Sequence, residues 1–86
     1  MQKLIQEVQN EGLVKLIGQQ VTLMCACYFY TGKLIGVNDE CVLLEDPAII
    51  YETGAWSNKT WADCQSMGMK EWYVMKSMVE SFGVAK

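Results

Sequence analysis

The stretch from Gln20 to Asp46 sets the tightest limit on what this chain can become. Within it, Val21, Leu23, Cys25, Cys27 and Phe29 alternate with Thr22, Met24, Ala26, Tyr28 and Tyr30. A period of two belongs to a strand with two distinct faces. Two further strands are expected at Lys33–Val37 and Cys41–Glu45, around the polar tetrad Asn38-Asp39-Glu40-Cys41. Gly32 and Gly36 stand among apolar neighbours. Glycine inside a strand commonly marks a sharp bend or the close approach of another backbone. The pattern asks for a small sheet that curls strongly on itself, as in an open barrel. At Thr31-Gly32 the sequence allows either a turn between strands or a bend within one.

The remaining segments fit around that centre. Leu4, Ile5 and Val8 share one helical face, with Asn10 and Gly12 as stop signals, so a short amphipathic helix is expected within residues 1–12. Leu13, Leu16 and Ile17 then lead into the first strand through Gly18. The third strand is expected to run past Pro47 through Ile49, Ile50 and Tyr51, with Pro47 at a bulge or an edge. Residues 53–68 read as one long, polar, variable loop. The last two strands follow at Met69–Lys76 and Met78–Val84, separated by a tight turn at Lys76-Ser77. The expected fold is a single mainly-β domain: an N-terminal α-helix followed by a strongly bent, five-stranded antiparallel open barrel. Of its 86 residues, 51% are apolar, more than one modest core can hide. The natural outlet for the excess is an oligomer interface.

Charge and residue types narrow the function. Ten Asp and Glu face seven Lys, and the chain has neither Arg nor His. An acidic balance counts against broad, salt-driven attraction to phosphate backbones, and missing Arg removes the best bidentate phosphate or guanine ligand. Missing His removes the usual proton shuttle near neutral pH and the commonest metal ligand. Cys25, Cys27, Cys41 and Cys64 form no C-x2-C pair, so no metal site and no cofactor are expected. Buried free thiols acting as small hydrophobes are the expected state, which suits a reducing cytoplasm. The first ten residues carry no long apolar export segment, and the longest apolar run, Val21 to Tyr30, is half the length of a membrane-spanning helix. No base, nucleophile or metal cluster can be assembled, so an enzyme is not expected.

Several residues fall in a recognisable order. Leu13, Leu16, Gly18, Val21, Leu23 and Cys25 match the first half of the first sequence motif of Sm and Sm-like (LSm, Hfq) proteins, with Gln19 where Lys is usual. Tyr30, Gly32, Leu34 and Val37 match its second half, with Asn38 in place of Asp and Glu40-Cys41 in place of Met-Asn ahead of Val42 and Leu44. Val74-Met75-Lys76-Ser77, then Val79 and Phe82, resemble the second motif, whose turn carries Arg-Gly. The chain therefore resembles a diverged Sm-like protein over most of its length outside residues 53–68.

The resemblance implies a homo-oligomeric ring closed by pairing of the last two strands between neighbours, with Trp72, Val74, Val79 and Phe82 at the interface. It further implies single-stranded RNA, or DNA, as partner, held near the pore by Asn38, Asp39, Glu40, Cys41, Lys76 and Ser77. The tetrad lacks the family's stacking side chain, and Cys41 stands where a base-reading Asn is usual. A solvated turn is an equally good reading of Asn38-Asp39-Glu40. The alternative function is a ring-forming structural or protein-interaction module without nucleic acid. Tyr28, Phe29 and Tyr30 read either as a stacking surface or as divided between core and interface. Trp56 and Trp61 read either as a partner anchor or as a cap on the barrel. Glu45-Asp46 is a weak candidate for a divalent ion.

Overall fold

The structure, a computed structural model, describes residues 12–85. Apart from Gly12, the helix expected within residues 1–12 lies outside the described residues. The chain runs through a one-turn helix α1 (Gly12–Lys15), then β1 (Gln20–Cys25), β2 (Phe29–Val37) and β3 (Cys41–Glu52). It continues with β4 (Asp63–Ser66), β5 (Glu71–Met75), a 3-10 turn (Lys76–Met78) and β6 (Val79–Val84). All six strands join one antiparallel sheet in the order β4-β3-β2-β1-β6, with β5 also paired to β3.

Two expectations about strands need correction. The alternation from Gln20 to Tyr30 is not one strand. Ala26 to Tyr28 turn the chain, and the Cys25 N–H donates to the Tyr28 carbonyl at 3.1 Å to close that turn. The turn exchanges the faces, so Tyr30 pairs with Leu23 and packs on the core, while Phe29 does not. Residues 53–68 are likewise not one loop, because β4 lies within them. Asp63-Cys64-Gln65-Ser66 has no apolar alternation to announce a strand. Its conformation comes from pairing with Ala48, Ile49, Ile50 and Glu52 of β3.

Thr31-Gly32 is a bend within β2. Opposite it, β3 bends at Asp46-Pro47, and the β2–β3 register shifts between Thr31 and Lys33. Asp46 sits at φ 51°, a left-handed conformation that Asp tolerates better than most residues. A β-carbon on Gly32 would lie 3.2 Å from the Glu45 carbonyl oxygen, 3.2 Å from Leu44 Cβ and 3.3 Å from Pro47 Cα. Two of these three are backbone atoms, and none is the mobile end of a side chain. Beyond the bend, the other edge of β3 pairs first with β5 and then with β4. The link between those two strands is tied across the bend: the Met67 N–H donates to the Pro47 carbonyl (3.0 Å) and the Asp46 N–H to the Lys70 carbonyl (2.8 Å). β4 and β5 thus form one interrupted strand along β3.

Leu13, Val21, Leu23, Cys25, Leu34, Val42, Leu44 and Val74 form the core, with Leu16, Tyr30, Val37, Trp72 and Val79 packed around it. Ten large apolar side chains among the described residues are exposed, including Tyr73, Met75, Met78, Phe82 and Val84 along the last two strands and the turn between them. Among the described residues no helix is long and apolar enough to cross a membrane.

Replacing Gly32 with Val is expected to lower the unfolding free energy by about 1–3 kcal/mol, through overpacking against the backbone of β3. A β-carbon on Gly83 meets nothing within 4 Å. Gly83→Ala is therefore expected to stay within about 0.5 kcal/mol of the parent in the same urea titration.

Candidate nucleic-acid interface

The β2–β3 hairpin ends on Asn38-Asp39-Glu40-Cys41, and its first residue organises the rest. The Asn38 N–H donates to the Cys41 carbonyl at 3.0 Å. Asn38 Oδ1 accepts from the N–H groups of Glu40 and Cys41, both at 2.8 Å. This is an Asx turn, the local structure that makes Asn a turn residue. With Oδ1 engaged, the amide's outward-facing capacity is the Nδ2 donor. Asp39 and Glu40 are exposed.

Lys76 and Ser77, remote in sequence, open the 3-10 turn between β5 and β6. The Lys76 N–H donates to the Glu40 carbonyl at 2.8 Å, directly beyond the Cys41–Met75 pair of β3 and β5. The tetrad and the Lys76-Ser77 turn therefore lie side by side. Their juxtaposition follows from the β3–β5 register, in which Val42 pairs with Val74 and Leu44 with Trp72 on the side of the sheet that meets the core.

One residue of this surface escapes the sequence reading. Tyr73 lies opposite Leu43 and is 64% exposed. With Gly36, Val37, Asn38, Cys41 and Leu43 it lines a shallow hollow of about 140 Å³. An aromatic ring therefore stands beside the tetrad although the tetrad holds none. The signal was the alternation in Glu71-Trp72-Tyr73-Val74-Met75, which turns Tyr73 outward when Trp72 and Val74 face in. The register against β3 was the missing piece.

The expected interface residues divide. Val74 is 5% exposed and belongs to the core, so an edge contact there engages its backbone, not its side chain. Trp72 and Val79 are half-buried against the core, and Phe82 is exposed. Tyr28 is exposed, with its ring edge-on to Tyr30 at 6.3 Å. Trp56 and Trp61 meet edge to face at 5.6 Å above β1 and β6. Glu45 and Asp46 belong to no group of three or more potential metal ligands among the described residues.

The expectation of four buried thiols holds only for Cys25. Cys27 and Cys64 are exposed and Cys41 is intermediate, because the turn at Ala26–Tyr28 and the polar strand β4 carry them outward. All four are free. Burial, reinforced by Cys27, pushes the Cys25 thiol up from 9.0; for Cys64, whose surface is exposed, partial desolvation reinforced by Asp63 acts in the same direction. The folded chain thus holds these thiol protons more tightly than the unfolded chain does. That stabilisation is complete below pH 9.0 and is lost as pH rises through the raised values.

Asn38→Ala removes the acceptor for two backbone donors and is expected to cost about 1 kcal/mol in urea unfolding. Asn38→Asp keeps the acceptor and should retain most of that stability.

No protein-family model and no curated protein matches this chain.

Proposed function

We propose that this chain is an Sm-like ring protein that binds single-stranded nucleic acid, RNA in the first place, and performs no chemistry of its own. One observation carries the reading. The Lys76–Glu40 backbone hydrogen bond brings together the two segments that the resemblance assigns to nucleic acid. The strand order supports it as well. A five-stranded, strongly bent sheet was expected, and β4 with β5 make a single interrupted strand on β3, leaving β6 on the far side of β1. The four free thiols fit a reducing compartment such as the cytoplasm.

The site's chemistry suits an unstacked base that presents a hydrogen-bond acceptor. The Tyr73 ring offers a stacking face at the hollow, and the Asn38 amide offers a donor. Uracil carbonyls and adenine ring nitrogens can each accept from that donor, so the hollow admits either base. Lys76 supplies the positive charge, against the exposed Asp39 and Glu40.

Ring formation follows from surface left over. β5 and β6 carry exposed Tyr73, Met75, Phe82 and Val84, and β6 has no second neighbouring strand among the described residues. Pairing such edges head to tail, with closure, removes them from water and from aggregation.

A second reading, a ring-forming structural or protein-interaction module, is favoured by one observation. Asn38 Oδ1 serves its own turn, and two exposed carboxylates flank it.

Fluorescence anisotropy with labelled oligo-U and oligo-A at two salt concentrations decides between them. The proposal expects saturable binding of at least one of the two, weakened at high salt. Tyr73→Ala should then cost about 1–3 kcal/mol of binding, the usual worth of one stacked base. Lys76→Ala should weaken binding and flatten its salt dependence. No binding at tens of micromolar protein in low salt would leave the structural module. Native mass spectrometry should show one discrete oligomer of several subunits under either reading, and a monomer would remove the ring from both.

A further inference from the structure

A second cluster of side chains forms where two turns meet. The turn after β1 is hydrogen-bonded to the 3-10 turn after β5, the Ala26 N–H donating to the Met78 carbonyl at 3.2 Å. β1 and β6 hold the same junction, with Cys25 paired to Val79. These contacts gather Cys25, Cys27, Met75 and Met78 around one hollow of about 320 Å³, walled also by Tyr28 and Trp72. We propose that this hollow binds a soft monovalent metal ion, Cu(I), through the thiolates of Cys25 and Cys27 and the thioethers of Met75 and Met78.

The donor set selects the metal. All four ligands are sulfur, and thiolates with thioethers are the donors that favour Cu(I). Zinc takes four ligands drawn from Cys, His and carboxylates, and the lining of this hollow holds no His, Asp or Glu. Calcium and magnesium need several oxygen ligands, which tyrosine hydroxyls do not replace. In the sequence Cys25 and Cys27 stand as a lone pair of thiols. The fold adds the two methionines from a remote turn.

Access and protonation fit that occupant. Both thiols are free, Cys27 is exposed, and Met75 and Met78 are exposed beside it, so an ion reaches the hollow from solvent. Cys25 is buried at its inner end. The Cys25 thiol donates to the Leu23 carbonyl at 3.9 Å, a long and weak bond that is readily given up. Binding replaces the two S–H protons, which pass to solvent, by one cation, and the metal keeps its oxidation state. In the free chain burial raises the Cys25 thiol, and the neighbouring Cys27 raises it further. A cation held by both sulfurs removes that mutual repulsion. The aromatic walls restrict water around the ion, as the apolar shell of a metal site does.

The test uses the full chain, reduced and free of oxygen, with isotope-labelled methionine methyl groups followed by NMR. Ag(I), a redox-inert stand-in for Cu(I), should shift the Met75 and Met78 methyl signals to an end point at one ion per chain. Met24, Met67 and Met69, which do not line the hollow, should stay still. Competition against the chromogenic chelator bicinchoninate should show one Cu(I) per chain, with Zn(II) bound more weakly. Cys27 is exposed, so Cys27→Ser leaves the core intact. It should weaken Cu(I) by about 10–100-fold or more, the usual loss when only an outer-shell partner of a metal site is removed. Met78→Leu should weaken it by a smaller factor. Cys64→Ser, which lies outside the hollow, should leave it unchanged. Four results overturn the proposal: Met75 and Met78 methyls that do not move, Cu(I) affinity that survives Cys27→Ser or Met78→Leu, an equal loss on Cys64→Ser, and tighter binding of Zn(II) than of Cu(I).

Discussion

Gly32 lies against the backbone of Glu45 and Pro47 at a separation where a β-carbon would be crowded, 3.2–3.3 Å from its neighbours, and that contact governs how the sheet folds over. β2 and β3 can bend together only because one strand has no side chain at the crossing and the other turns through a left-handed Asp46 into a buried Pro47. Pro47 lacks a donor, so the bend removes one N–H from the ladder at that point. The polar groups of the bend are not wasted. The Asp46 N–H and the Pro47 carbonyl both pair with the link between β4 and β5. A single bend in β3 thereby forces a matching break in the strand beside it.

The bend decides where the chemistry lies. It divides β3 into a half that pairs with β5 and a half that pairs with β4. The β5 half ends at the tetrad, so the turn after β5 is delivered to Glu40, and Tyr73 is delivered to the hollow beside Asn38. The β4 half ends in the Trp56–Trp61 loop, which reaches back over the outer strands. The hairpin tetrad and the Trp56–Trp61 loop therefore lie at opposite ends of β3. The core between them is small and centred on Leu23, Leu34 and Leu44, which are fully buried. Three leucines with their valine neighbours suffice for one modest core and leave the aromatic and methionine side chains of the last strands outside it.

Much of this was written in the local pattern. Gly32 and Pro47 announced bends, the tetrad announced a hairpin, and Val21, Leu23, Leu34, Val42 and Leu44 announced the core by their period of two. What the pattern could not carry was pairing. β4 has the sequence of a polar loop and becomes a strand only because β3 offers it a free edge. The break at Ala26–Tyr28 was hidden because apolar residues continue through the turn without a glycine or proline to mark it. Once that turn exchanges the faces, Tyr30 replaces Phe29 against the core and Cys27 moves into solvent. Tyr73 was overlooked for the same reason: its role depends on facing Leu43, and register is not a local property.

On the proposed reading, the tetrad, Tyr73 and the Lys76 turn act as one surface. Amide chemical-shift mapping with a short oligo-U tests this most directly, because it reports each segment separately in one titration. A single surface predicts that Asn38 to Cys41, Tyr73 and Lys76-Ser77 respond together with one shared midpoint, while β4 and the Trp56–Trp61 loop stay still. Shifts confined to other parts of the sheet, or different midpoints for the tetrad and the Lys76 turn, contradict it.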